Sequence, residues 1–308
     1  MFADNRIIRY INQNKGKIIT IGLVIIFAFL IIYALNEFAK QRNEEEVTNT
    51  TPQNVYRPEN AAIIGDTVDD EDQQKNESVI DQFIDYCNNG NVEEAYNLLS
   101  DGCKEKVYTS LDVFRSSYID VLFNTKREVT VQAWITDGDF YVYQVRYLND
   151  MMASGKIDDN NVYQDYFSID KKDSSKISIG QYFGTKQIEK LNEKDNIQVT
   201  VNSVDYYLRQ EVYTITVQNN TDENLYLDSK TRTDSVYLTD SNDLHWNTSI
   251  NNVADALLMI TPGLSRTYQI SFTREYNPNV SIREFTLSDL RTQEITNEEG
   301  IKEISVEL

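Results

Sequence analysis

The chain is poor in the residues that build metal and haem sites. Its 308 residues include one His, two Cys, four Pro and eleven Gly. One His and two Cys cannot complete a four-ligand zinc site without carboxylates, and these counts exclude zinc fingers, haem attachment and iron–sulfur clusters. We therefore expect no metal and no cofactor in this protein.

Basic residues are also scarce. There are 29 Lys and Arg against 49 Asp and Glu, which gives a net charge of −20. Because phosphate recognition needs clustered basic side chains, this balance argues against binding of DNA or RNA. The hydrophobic fraction of 40% and the charged fraction of 25% are typical of a folded chain, neither disordered nor crossing a membrane many times.

One long run without charge occurs near the beginning. Residues 18–35 contain no charged side chain, and as a helix they would extend roughly 27 Å, close to the ~30 Å hydrocarbon core of a bilayer. A cleavable signal peptide has a shorter apolar region that ends in small residues. We therefore expect an uncleaved transmembrane helix rather than a cleaved signal or a buried soluble helix.

The residues before this run, 1–17, set the predicted orientation. Their basic side chains place this short tail in the cytoplasm under the positive-inside rule, and the rest of the chain outside the cell. We expect a single-pass protein of the cell membrane that contacts the lipid bilayer through 18–35. The residues of this topology signal are Arg6, Arg9, Lys15 and Lys17.

Residues 36–77 are predicted to form an acidic, disordered stalk, because they contain too few apolar side chains to offset the entropy of ordering. The stalk includes the run Asp69-Asp70-Glu71-Asp72. This run lacks the spaced ligands and the turn glycine of an EF-hand, so we interpret it as solvated charge rather than a calcium site.

Residues 78–188 are predicted to form an α+β domain. The apolar positions Ile80, Phe83, Ile84 and Cys87 follow the helical repeat, and three helices followed by four antiparallel strands place the helices on one face of a sheet. Helices are expected from Ser78, over 92–99 and from about Ser110, and strands over 129–135, 140–148, 162–169 and 176–183.

The segment FIDYCNNGNVEEAYNLLSDGCKEKVYTSLDVF resembles the start of NTF2-like domains in Gram-positive (Firmicute) surface proteins. The resemblance covers 78–188. It implies a curved antiparallel sheet that wraps around three helices and encloses a cone-like cavity. Enzymes, transport adaptors and domains without activity share this fold, so the fold alone does not give the function.

Catalysis in this cavity is not expected. The single His, His245, lies outside this domain, which excludes His–Asp chemistry there. Asp and Tyr are plentiful, but the adjacent Asp165 and Tyr166 point to opposite faces of a strand. Trp134 is either a pocket residue or, as is more usual for an aromatic on a half-buried strand, part of the core. We predict no catalytic residue and no enzymatic activity.

Both cysteines belong to this domain. Cys87 and Cys103 lie on the apolar stripes of two helices. Outside the cell they could form a disulfide, which would close a loop of roughly 17 residues and stabilise the fold by about 3 kcal/mol in the chain-entropy model. The alternative is two buried free thiols that act as small hydrophobic residues. The sequence leaves both open.

Residues 196–308 are predicted to form a β-sandwich, because short strands alternate with polar turns. The pieces VQNNTDENLYL, VYLTDSNDLHW and ITPGLSRTYQISF resemble an immunoglobulin-like domain of uncharacterised role in Firmicute lipoproteins and anchored proteins. We interpret His245 and Trp246 as ordinary surface or core residues. The turn at Asp240 and Asp243 is interpreted as bonding to its own backbone, with a Ca²⁺ site as the alternative.

Three functional hypotheses follow. The first is a non-enzymatic extracytoplasmic binding or scaffold protein with a protein or cell-envelope partner, for which Tyr141, Tyr143 and Tyr147 are candidate interface residues. The second is a structural assembly component of a conjugation or secretion channel. The third is a small-molecule sensor or enzyme that uses the NTF2-like cavity. The sequence identifies neither the ligand nor the oligomeric state.

Overall fold

The computed structural model describes Gly65 and residues 68–149, 163–227, 234–250, 253–292 and 301–308. All of them belong to one compact unit, Arg57–Leu308. The predicted transmembrane helix 18–35 and the topology signal before it lie outside the described residues, as does most of the predicted stalk. Within the described ranges, no helix is long and apolar enough to cross a membrane.

The helices of the described residues lie mainly in the first half of the chain. A short π-helical turn, Arg115–Ile119, joins two of them. They are α1 (Asp70–Asn88), α2 (Val92–Leu98), α3 (Asp101–Lys106), α4 (Leu111–Phe114), α5 (Asp120–Leu122) and α6 (Asp255–Leu258).

The first helix begins earlier than the sequence predicted. α1 starts at Asp70 rather than Ser78. The side chain of Asp69 accepts a hydrogen bond from the backbone N–H of Glu71 at 3.2 Å and caps the helix, and acidic residues in the first turn interact favourably with the helix dipole. Residues 70–77, which were predicted to belong to the disordered stalk, therefore form the first turns of α1. The expected apolar stripe of α1, Ile80, Phe83, Ile84 and Cys87, is buried.

Most strands follow the period-two patterns of the sequence, and their bounds differ from the predicted ones by a few residues. They are β1 (Arg127–Ile135), β2 (Phe140–Asn149), β3 (Tyr163–Asp170), β4 (Asp173–Ser178), β5 (Tyr182–Lys194), β6 (Ile197–Tyr207), β7 (Glu211–Asn219), β8 (Leu225–Leu227), β9 (Val236–Asp240), β10 (His245–Thr248), β11 (Met259–Ile260), β12 (Ser265–Phe272), β13 (Ile282–Arg291) and β14 (Lys302–Glu307).

These strands form three antiparallel sheets. Sheet 1 is a meander in the order β1-β2-β3-β4, and sheet 2 has the order β12-β7-β6-β5. Sheet 3 has the order β10-β9-β13-β8-β11, with β14 paired to β13. The antiparallel pairing of neighbouring strands fixes which side chains share a face, because successive residues alternate between the two faces.

Each part of the fold has its own core. Helices α1 to α5 cover one face of sheet 1, where Phe83, Phe114 and Tyr118 from the helices pack against Tyr147 and Phe167 from the sheet. Sheets 2 and 3 face each other across a second core. Its inward residues come from alternate positions of both sheets and include Tyr213, Ile215, Val217, Leu238 and Phe285.

The predicted fold class is wrong. The described residues are mostly β-sheet, and no NTF2-like cone is formed. The expected fourth strand, 176–183, is divided: β4 ends at Ser178, and the chain then enters β5, which pairs with β6 in sheet 2. The residues left between the two predicted domains, 189–195, fall in β5 except for the last one. The exposed residues of this edge strand have the composition of a linker.

Strands and side chains also connect the two halves of the chain. Since sheet 2 takes β5 from the first half of the chain, the sandwich is not completed within 196–308 as an immunoglobulin-like domain would be. A third, aromatic cluster joins the halves. In it the ring of Tyr276 lies 5.0 Å from that of Tyr206 and 5.4 Å from that of Phe183, and Phe140 and Leu208 complete the contact.

Candidate functional site

A buried carboxyl group lies between the helices and sheet 1. Asp165, on β3, accepts hydrogen bonds at Oδ1 from the backbone N–H of Tyr166 (2.7 Å) and at Oδ2 from that of Gly180 (3.2 Å) and from the hydroxyl of Tyr118 (3.3 Å). The Tyr118 and Tyr147 hydroxyls are 2.7 Å apart. Burial raises the pKa of Asp165 to about 6, and the hydrogen bonds that it accepts oppose this shift.

This network has the residues of an acid–base site but no access for a substrate. Asp165, Tyr118 and Tyr147 each expose 2% of their surface or less, and the rings of Phe83 and Phe123 pack against the two tyrosines. The space in which an NTF2-like cavity was expected is filled by the protein's own side chains. A sensor or enzyme that uses this cavity therefore has no structural support.

The contact between Tyr118 and Asp165 was not predicted, although the sequence indicated that Tyr118 is buried and that Asp165 points to the opposite face of its strand from Tyr166. Tyr118 belongs to the helix predicted from about Ser110, where it falls among apolar residues at helical spacing, and a buried tyrosine hydroxyl usually needs a hydrogen-bond partner. Asp165 and Tyr166 do point to opposite faces of β3. Tyr166 contacts Trp134 with the ring centroids 5.7 Å apart, so Trp134 packs on the sheet face opposite to the helices.

The two cysteines are free thiols in this structure, and both are buried. The Sγ of Cys103 lies 3.8 Å from the carbonyl oxygen of Ile179. Burial raises the pKa of Cys103 to about 12 and raises that of Cys87 as well. Of the two alternatives that the sequence left open, the structure shows the buried thiols, not the disulfide.

The other candidate residues serve local structure. Asp240 accepts hydrogen bonds from the backbone N–H groups of Asn242 (2.8 Å) and Leu244 (3.1 Å) and from Trp246 Nε1 (3.1 Å), so the turn bonds to itself. His245 is exposed and stacks on Tyr237, with the ring centroids 4.7 Å apart. Among the described residues, no cluster of three or more His, Cys, Asp or Glu could hold a metal ion.

The tyrosines proposed as an interface face the core of the protein. Tyr143 and Tyr147 are buried against the helices. The Tyr141 hydroxyl donates to Asp72 Oδ2 at 2.9 Å, and the Lys171 ammonium lies 4.6 Å from the centroid of its ring. The side chains of Tyr143 and Tyr147 are therefore not available to a partner, and that of Tyr141 is half-buried.

A groove of about 940 Å³ opens where sheet 1 meets the sandwich. We call it the junction groove. It is formed by the turn between β1 and β2, the bulged part of β5, the loop after β12 and the adjoining ends of β13 and β14. Its lining residues include Asp139, Lys186, Lys190, Tyr276, Pro278 and Glu284.

The floor of the junction groove is a buried ion pair. Arg274 Nη1 donates to Glu211 Oε1, and Arg274 Nη2 donates to the carbonyl oxygen of Val280. The other carboxylate oxygen of Glu211 accepts from the Tyr213 hydroxyl at 3.0 Å, and the Arg274 guanidinium lies 5.7 Å from the Trp246 ring. Burial raises the pKa of Glu211, and the positive charge of Arg274 opposes the shift.

The walls of the groove carry charges of both signs. Glu284 and Glu307 are directly opposite each other on β13 and β14, an arrangement that is unfavourable for two like charges. Lys186 is paired with Asp139 at 3.7 Å. Lys190 also lines the groove, and within the described part of the chain it forms no salt bridge.

No protein-family model, curated protein or solved structure matches this chain.

Proposed function

We propose that this chain is a non-enzymatic binding or scaffold protein and that the junction groove binds a segment of a partner protein. The observation that carries the proposal is the groove itself, about 940 Å³ in volume and built on a floor whose polar groups bond to one another. Ligand sites in proteins are largely preformed concave surfaces of this size. Because the side chains of the floor are already held by these bonds, they do not have to be ordered when a ligand binds.

The inaccessibility of the two buried carboxyl groups, Asp165 and Glu211, supports binding rather than catalysis. A general acid or base must reach the proton that it transfers. Asp165 is sealed in the core, with 1% of its surface exposed. Glu211, at the groove floor, is engaged by Arg274 and Tyr213, so it has no free oxygen to act on a ligand.

The charges on the walls indicate the chemistry of the ligand. The opposed carboxylates of Glu284 and Glu307 would be stabilised by a Lys or Arg side chain placed between them. Lys190 would in turn pair with a carboxylate. A polypeptide segment that carries both kinds of side chain satisfies both walls, and the half-buried apolar surfaces of Pro278 and Ile188 offer contacts for its apolar groups.

Site-specific photo-crosslinking of the full chain in the cells that produce it tests the proposal. A photoreactive residue replaces Gln187, which is exposed and lines the groove. The control position is Leu264, which is exposed beyond the opposite end of β7, roughly 27 Å along the strand from Glu211. We expect a discrete crosslinked protein from Gln187 and none from Leu264.

A second pair of variants tests the role of the wall charges. Replacing Glu284 and Glu307 by Gln is expected to reduce the crosslinked product at least about tenfold, because the pairing with a basic group is lost. The matched control replaces Glu93 and Glu94, two exposed residues of α2, by Gln and should leave the product unchanged. Equal crosslinking from Gln187 and Leu264, or none from Gln187, contradicts the proposed function.

A further inference from the structure

One edge of sheet 1 is not covered by another strand. β1 pairs with β2 on one side, and no described strand lies on its other side. Asn88 shows which backbone groups point outwards: its side chain accepts from the N–H of Arg127 at 2.8 Å and donates to the carbonyl of Arg127 at 2.9 Å. The outward groups of a strand recur at every second residue. Those of Val129, Val131 and Ala133 therefore point the same way.

These three residues offer a row of free hydrogen-bonding groups. In the described part of the chain, none of their outward N–H and C=O groups has a partner. A bulge between Ala133 and Ile135 ends the regular part of the edge. An open edge of this kind is a template for pairing with a further strand.

We propose that β1 pairs with β1 of a second copy of this chain, antiparallel and about a two-fold axis at Val131. The register follows from the groups that are free. With Val131 opposite its own copy, Val129 faces Ala133 in both directions, and all three residues form hydrogen-bonded pairs. A shift by two residues places Ala133 opposite Arg127, whose backbone groups are already bonded to Asn88.

The charges along the edge favour the same arrangement. β1 is preceded by Lys126 and begins with Arg127, whereas Asp137 and Asp139 follow its end. An antiparallel pairing brings the basic end of one copy towards the acidic end of the other, and it does so twice. In the proposed register Glu128 is opposite Trp134, so no like charges are opposed across the new ladder. The two copies of sheet 1 then form one continuous sheet.

Disulfide trapping tests the register. Thr130 of one copy is opposite Gln132 of the other in a non-hydrogen-bonded pair, where Cβ atoms are roughly 4.5–5.5 Å apart and within reach of a disulfide after a small adjustment. The full chain with Thr130→Cys and Gln132→Cys should form a covalent dimer on mild oxidation. The buried Cys87 and Cys103 do not take part.

The chain offers a closely matched control. Thr267 and Gln269 are the same residue types at the same spacing, exposed on the edge strand β12. The variant with Cys at these two positions should stay monomeric under denaturing, non-reducing conditions. A covalent dimer from Thr130→Cys alone would show Thr130 opposite itself and would overturn the register.

Sedimentation velocity of the purified full chain measures the association itself. We expect a monomer–dimer equilibrium that Thr130→Lys with Gln132→Lys weakens at least about tenfold, because two Lys–Lys pairs then oppose each other across the axis. Lys at positions 267 and 269 should leave the equilibrium unchanged. A monomer throughout the micromolar range, or trapping of another protein by the Thr130 and Gln132 cysteines in place of a second copy, overturns the proposal.

Discussion

The hydroxyl of Tyr118 donates a hydrogen bond to Asp165 Oδ2 across 3.3 Å in the core between the helices and sheet 1. It joins a residue of the π-helical turn to a residue of β3. Because the carboxyl group is buried with few compensating charges, its protonation affects the stability of the whole fold.

Stability is expected to fall as the pH rises from about 4 to 7 because of Asp165. Its pKa is about 6 in the folded chain against an ordinary value of 3.8, so the folded state binds the proton more tightly. The resulting stabilisation is complete below the unfolded pKa and is lost as the pH passes through the folded pKa; it amounts to about 3 kcal/mol. Urea unfolding at a series of pH values measures it.

The variant Asp165→Asn isolates this contribution. It should remove the fall in stability over this pH range, whereas Asp222→Asn, at an exposed turn, should keep the pH dependence of the unaltered protein. If the stability of the two variants depends on pH in the same way, the pH dependence does not come from Asp165.

Tyr118→Phe should lower the free energy of unfolding by about 1–3 kcal/mol, because a buried carboxylate and the Tyr147 hydroxyl lose their partner. The hydrogen bond from Tyr118 lowers the pKa of Asp165. Its loss should therefore also move the pH dependence to higher pH. Tyr163→Phe serves as the control, since Tyr163 is 47% exposed, and it should change stability by less than about 0.5 kcal/mol. If the free energy of unfolding of Tyr118→Phe depends on pH as that of the unaltered protein does, the hydrogen bond between Tyr118 and Asp165 is not formed.

The sequence predicted local features of this fold better than long-range ones. The buried stripe of α1 and the alternating strands depend on the spacing of neighbouring residues, and they are found where expected. The contact between Tyr118 and Asp165 joins residues 47 positions apart, and that between Arg274 and Glu211 joins residues 63 apart. No local pattern encodes such pairs.

The sequence failed to predict that β5 continues to Lys194 for a different reason. From Lys186 to Lys194 this strand is almost entirely exposed and polar, so its composition is that of a linker. Its pairing with β6 is maintained by backbone hydrogen bonds, which any side chain permits. For the same reason the junction groove, which depends on the bulge in β5, could not be predicted.

Arg274→Ala should destabilise the fold strongly, since it leaves the Glu211 carboxylate buried without its ion pair. Loss of one partner of a buried pair costs about 3–5 kcal/mol. The comparison is Lys186→Ala, which breaks a salt bridge whose side chains are 55% and 45% exposed and should cost about 0–1 kcal/mol. Denaturant unfolding of both variants measures the difference. Equal costs would show that the groove floor does not depend on this pair.

Cys87 and Cys103 should resist alkylation in the folded protein. Burial raises the pKa of both thiols, which leaves little reactive thiolate near neutral pH. In denaturant without a reductant, mass spectrometry should find two alkyl groups per chain. A chain that takes up no label until a reductant is added would contain the disulfide instead.

Gly184→Ala should weaken the contact between sheet 1 and the sandwich. Gly184 lies in β5 with φ +157°, and an added Cβ would lie 2.3 Å from the ring of Phe140, so we expect a cost of about 1–3 kcal/mol from overpacking. Gly90→Ala, where no atom lies within 4 Å, should cost about 1 kcal/mol from its backbone conformation alone. Adding Phe140→Leu should recover part of the stability in Gly184→Ala but none in Gly90→Ala. Purely additive costs in the Gly184 and Phe140 double-mutant cycle would rule out the contact.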